Sequence, residues 1–140
     1  MKITLFALVT LLHAASLNAE IVVSKGWVKN TVAGINNTAA FMILSNSADK
    51  EVDILSASSS MAMSVQIHRM KHENGVMHMS PVRTLSVPAN SSVELNPMGL
   101  HIMLMGLKSE LTIGQQIDIE FRLEGGETLQ TILNVRQQGH

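Results

Sequence analysis

Two groups of histidine and methionine carry the chemistry available to this chain. His101, Met103 and Met105 occupy alternate positions, interleaved with Leu100, Ile102 and Leu104. Side chains alternate across a β-strand, so the three aliphatics face a core while His101, Met103 and Met105 share the opposite face. Alternate Cα atoms on a strand lie about 6.5–7 Å apart, close enough for His101 and Met103 to reach one ion. The second group, His68, Met70, His72, Met77 and Met79, flanks Asn74-Gly75. Asn-Gly is the strongest two-residue hairpin signal, because a type I′ turn needs positive φ at both central positions. A two-residue loop there sets Met70 opposite Met79 and His72 opposite Met77, with His68 diagonal to Met79. One hairpin face then presents two imidazoles and three thioethers.

That donor set selects among ions. Thioethers are soft and neutral; they bind Zn²⁺, Mg²⁺ and Ca²⁺ weakly but suit Cu(I), and imidazole accepts copper in either oxidation state. A site without thiolate binds copper without deprotonating a ligand and can release it again. Calcium and magnesium cages need clustered carboxylates, whereas the Asp and Glu residues here are spread singly. Taken alone, any one methionine is more often core filler than ligand, and a lone His beside a turn is usually solvated. What favours ligands is shared parity: at 100–104 histidine and methionine hold one alternation and the aliphatics hold the other.

The composition narrows the classes further. Cysteine is absent from the 140 residues, which excludes disulfide scaffolds, thiolate zinc sites, iron–sulfur clusters, blue-copper centres and thiol nucleophiles. Lys+Arg is 10 against Asp+Glu 11, so no basic excess exists for nucleic acid or a polybasic membrane contact. Hydrophobic residues reach 46% with only three Phe and no Tyr, which implies a globular core packed from aliphatics. Lys2, the apolar run Ile3–Leu12 and the small residues up to Ala19 have the tripartite layout of a secretory signal peptide. The run is too short to span a bilayer, which takes about 20 apolar residues. Residues 1–19 are therefore expected to be a leader and 20–140 a single exported domain with no membrane span.

The elements that must position the donors are short strands. Ile117, Ile119, Phe121 and Leu123 alternate with polar residues, as do Leu129, Thr131, Leu133 and Val135, and Gly125-Gly126 turns between them. Further strands are predicted at Ile21–Lys29, Thr38–Ser45, Val52–Ser56, Ser64–Met70, Val76–Val82, Ser91–Leu95 and Leu100–Leu104. Ser56–Met63 reads as a loop with one helical turn. Seven to nine short strands with frequent turns predict an all-β fold, a β-sandwich or small Greek-key barrel.

The residues also carry a resemblance. His68, ten residues, Met79, twenty-one residues, His101, one residue, Met103 is the spacing of the periplasmic copper(I) chaperones of the PCuAC family. At this chain's own residue frequencies the spacing arises by chance roughly once in a thousand. Gly75-Val76-Met77, Pro81-Val82, His101 to Lys108, Trp27 and Ala40-Phe41-Met42 are similar to the family too, so the resemblance runs from about Ile21 to Val135. It implies a cupredoxin-like β-barrel and one Cu(I) per chain held at the surface by His68, Met79, His101 and Met103; with no cysteine and singly spread carboxylates, no enzymatic activity is expected. It further implies a periplasmic monomer that supplies the copper A centre of cytochrome c oxidase, often alongside Sco-type thiol proteins. The family's second, tail-borne site is not expected, because the C-terminus has one His, His140, and no Met. Met70, His72, Met77 and His78 lie outside the motif, as a holding shell or without a role. Copper storage or detoxification uses the same ligands and stands as the alternative to delivery; a metal-free β-sandwich interaction module is the other.

Overall fold

The computed structural model describes residues 21–139; the leader assigned to residues 1–19 and His140 lie outside the described residues. Ten strands follow one another: β1 Ile21–Lys29, β2 Asn37–Asn46, β3 Val52–Ser58, β4 Ala62–Glu73, β5 Val76–Pro81, β6 Leu85–Val87, β7 Ser91–Leu95, β8 Leu100–Leu107, β9 Gln116–Leu123 and β10 Thr128–Arg136. Seven of them close a barrel in the order β4-β8-β2-β1-β10-β9-β3, and the pair Ala57–Val65 joins β3 back to β4. Closure leaves these strands without an open edge. β5 extends the sheet beyond β4, β6 beyond β3, and β7 lies along the second half of β2. Among the described residues no helix occurs, as the alternating sequence predicts.

Period-2 patterning explains what fills the barrel. Ile102 and Leu104 of β8 are fully buried with Val28, Leu44, Ile54 and Phe121, and Met42 is a methionine used as filler. The opposite parity of β8 lies outside the barrel wall, as alternation predicts.

One interruption of the alternation matters for the outer face. The β1–β2 register jumps from Ser24–Ile43 to Trp27–Phe41, and Lys25 between them takes φ 51°. This bulge carries one extra residue and reverses the parity of the strand. Val23 before it packs on the core, Val28 after it is the next core residue, and Trp27 turns outward against Phe41. Gly26 beside the bulge lies so close to Leu133 that a Cβ there would collide with its Cδ2.

Two expectations are corrected. β6 is a tenth strand of three residues, too short to show a period. Ser56–Met63 is not a helical turn: β3 continues through Ser58, a tight turn covers Ser60 and Met61, and β4 starts at Ala62.

Ile102→Ala is expected to lower the unfolding free energy by about 2–5 kcal/mol, and Gly26→Ala by about 1–3 kcal/mol through overpacking against Leu133. Urea titrations of both variants check this; an Ile102→Ala protein as stable as the parent would contradict the core assignment.

Candidate metal centre

The centre is assembled by two ladders that share β4. In the first, Asn74 (φ 50°) and Gly75 (φ 77°) form the two-residue turn that their types predict. Met70 then pairs with Met79, and His72 with Met77. In the second, β4 meets β8 with His68 opposite His101 and Gln66 opposite Met103. Residues directly opposite in an antiparallel pair share a face, so both ladders put their His and Met side chains outside the barrel. The β4–β8 pairing ends at Arg69–Leu100, with one further tie from Met70 N–H to the Gly99 carbonyl at 3.0 Å. Beyond it the hairpin projects alone, and β5 is exposed along its whole length. Arg69, Lys71 and Glu73 take the opposite alternation, and His78 joins them opposite Lys71.

Four rings cross the outer face in one row. His68 stands edge-on to His101 at 5.9 Å between centroids, His101 lies 6.4 Å from Phe41, and Phe41 lies 4.8 Å from Trp27. The parity-reversing bulge in β1 is what brings Trp27 into this row. His101 is only 3% exposed, covered by the neighbouring rings, whereas His68 and Met103 are half-buried on the outer face. The exposed donor is Met79, at 45%.

Hydrogen bonds fix what the two imidazoles can offer. His101 Nδ1 lies 3.2 Å from the Gly99 carbonyl, and His68 Nε2 lies 2.9 Å from Gln66 Oε1. A carbonyl oxygen only accepts, and with the Gln66 amide in this orientation Oε1 does too, so each of those ring nitrogens carries the proton. The lone pairs are left on His101 Nε2 and His68 Nδ1. His68 Nδ1 is buried and has no hydrogen-bond partner, an arrangement that costs stability unless something accepts the lone pair. Burial, and secondarily the nearby His101, hold the His68 pKa below its ordinary value. Among the described residues no three His, Asp or Glu gather around one point, so a hard-ion cage is absent there and the donors that supplement the imidazoles are thioethers.

Met70, Met79, His101 and Met103 line one cavity of about 810 Å³, faced on its other side by Val32 and Ile35 of the β1–β2 connection and by Gln138. The structure thus brings three of the four expected residues to one cavity wall and sets His68 beside them through its contact with His101. Met105 lies farther along β8, opposite Ser64 and Asn37. Met70 also lines the cavity although the motif omits it; its register opposite Met79 was the available signal. Phe41, which lines the cavity, and Trp27 packed against it were visible as similarities but not as parts of the site's surroundings.

Residues 21–135 match the family described as "Putative lipoprotein LpqE-like". The chain is 41% identical over 107 residues to "Putative lipoprotein Lxx21020" of Leifsonia xyli, covering 76% of this chain and 63% of that protein. It is 27% identical over 114 residues to "Uncharacterized protein RP573" of Rickettsia prowazekii, covering 79% and 62%; it therefore spans a little under two thirds of these relatives. The solution structure of CuI-DR1885 from Deinococcus radiodurans superposes with a TM-score of 0.69 at 30% identity, over 89% of this chain and 84% of that one. The copper-bound PCuAC domain from PmoF2 gives a TM-score of 0.69 over 84% and 93%, at 19% identity, a likeness of fold alone.

In the metal-free protein His68 is expected to titrate below 6.5, its ordinary value. Because the folded form resists the proton, the unfolded chain takes it up first, and this contribution to stability is lost as pH falls from about 6.5 through the lowered folded value. Imidazole NMR shifts followed against pH check this; a His68 titrating above 6.5 would contradict the desolvated ring.

Proposed function

The chain belongs to the LpqE-like family, the PCuAC family, and from that premise we propose that it is an exported Cu(I) chaperone. One ion is held per chain by His68, Met79, His101 and Met103. Residues 1–19 serve as the export signal and 20–140 as the copper-binding domain, working in the periplasm. The observation that carries this reading is the direct His68–His101 pairing, with the buried lone pair of His68 Nδ1 unused and methionines lining the adjoining cavity. The Cu(I) form of the Deinococcus protein supports the choice of ion, as does the soft, uncharged donor set. Among the described residues no helix is long and apolar enough to cross a membrane.

The acceptor proposed is the copper A domain of cytochrome c oxidase, with a Sco-type thiol protein as a second participant. The support is chemical: thiolates outcompete neutral thioethers for Cu(I), so transfer to a cysteine-bearing centre runs downhill. Carriage requires no catalytic group, and none is assigned.

Competition titration against a Cu(I) chelator is expected to give one tight equivalent. Met103→Leu is the cleaner probe, since it nearly conserves volume, whereas His101→Ala also removes a buried ring packed on Phe41. Met103→Leu should weaken Cu(I) by about tenfold or more, about 1.4 kcal/mol, with the thermal midpoint little changed. A Met103→Leu protein that unfolds but still binds copper would make Met103 filler. Mixing the loaded protein with a reduced copper A domain should move the metal; copper that stays put against excess acceptor would favour storage over delivery.

A further inference from the structure

The motif uses one methionine of the β4–β5 hairpin, yet the same face carries three more soft donors. Met70 is cross-strand to Met79, and His72 is cross-strand to Met77 one pair farther out. These pairs continue the line that starts at His68–His101. Packing does not explain the outer ones. Past Leu100 the hairpin has no barrel strand beside it, Met77 is 41% exposed, and His72 is exposed as well. Core filler must be buried to contribute, and a solvated turn gains nothing from a thioether. The opposite face of the same segment is furnished differently, with Arg69, Lys71, Glu73 and His78.

We propose that Met70, His72 and Met77 form an outer, weaker soft-metal site on this hairpin face, occupied by Cu(I) on its way into and out of the inner site. The proposal rests on the Cu(I) reading given above. Consecutive pairs on one strand face are about 6.5–7 Å apart, so Met70 and Met79 lie between the His68–His101 pair and the His72–Met77 pair. An ion can pass by exchanging one thioether or imidazole for the next. Copper remains Cu(I) throughout, no proton moves, and each donor released is replaced by another. Burial of the β8 imidazole favours such a step. His101 is 3% exposed, so an acceptor's sulfur reaches the ion first through the exposed hairpin donors. The outer set lacks a second imidazole, and its His72 and Met77 are exposed, which makes it the weaker of the two.

The test is an NMR titration of the full exported domain with Ag(I), a redox-inert soft probe, repeated with Cu(I) under anaerobic reductant. The first equivalent is expected to shift the His101 ring and the Met103 methyl, and the second the His72 ring and the Met77 methyl. In the His72→Gln/Met77→Leu double variant the second event should be lost, the first retained, and the rate of copper transfer to a thiol acceptor reduced several-fold. Unmoved His72 and Met77 signals at two equivalents, or an unchanged transfer rate in the double variant, would overturn the outer site while leaving the inner one standing. Conversely, a first equivalent that shifts His72 and Met77 but never His101 or Met103 would support the hairpin site and overturn the inner assignment.

Discussion

The β4–β8 ladder sets His68 directly across from His101 and, on the other alternation, Ile67 across from Ile102. A slip of β4 by one residue would turn His68 into the core and Ile67 out to solvent, and a slip of β8 would do the same to His101 and Ile102. Burying an isoleucine side chain contributes about 1.5–3 kcal/mol, and Ile67 and Ile102 are both buried. The register that positions the metal donors is therefore enforced from inside the barrel, by residues that never touch the site. Preorganisation of this kind precedes any metal, and closure of the seven strands through Ala57–Val65 removes the edge along which a slip could start.

On that scaffold the donors occupy a gradient of exposure. His101 is buried within the ring row that Phe41 and Trp27 complete, His68 is half-buried with one ring nitrogen unsatisfied, and Met79 is exposed. Desolvation disfavours imidazolium and keeps the His68 lone pair available. It equally disfavours a doubly charged ion in a site without carboxylates, because a buried charge needs compensation. A singly charged, soft ion meets both conditions best. The barrel supplies rigidity, and the projecting hairpin supplies access.

Local signals made much of this legible in the sequence. Asn74-Gly75 fixed a two-residue loop, and from it the pairs Met70–Met79 and His72–Met77 followed by counting. Leu100, Ile102 and Leu104 identified the core parity of β8 without reference to any other strand. The features that escaped depend on distant residues. Burial of His101 requires Phe41 and His68, which are 60 and 33 positions away, so alternation alone places it in solvent. The outward turn of Trp27 depends on a bulge at Lys25, a residue type that rarely takes positive φ. Leu85–Val87 is too short to show a period, and Ser56–Met63 contains few residues of strong strand preference, so the length of β3 comes from its pairing with β9.

Imidazoles from two barrel strands and thioethers from the hairpin and β8 are proposed to converge on one Cu(I). X-ray absorption at the copper edge of the stoichiometrically loaded protein tests it most directly. Sulfur and imidazole nitrogen are expected together in the first coordination shell, with multiple-scattering features from the rings. A shell of oxygen or nitrogen alone, without sulfur, would contradict it.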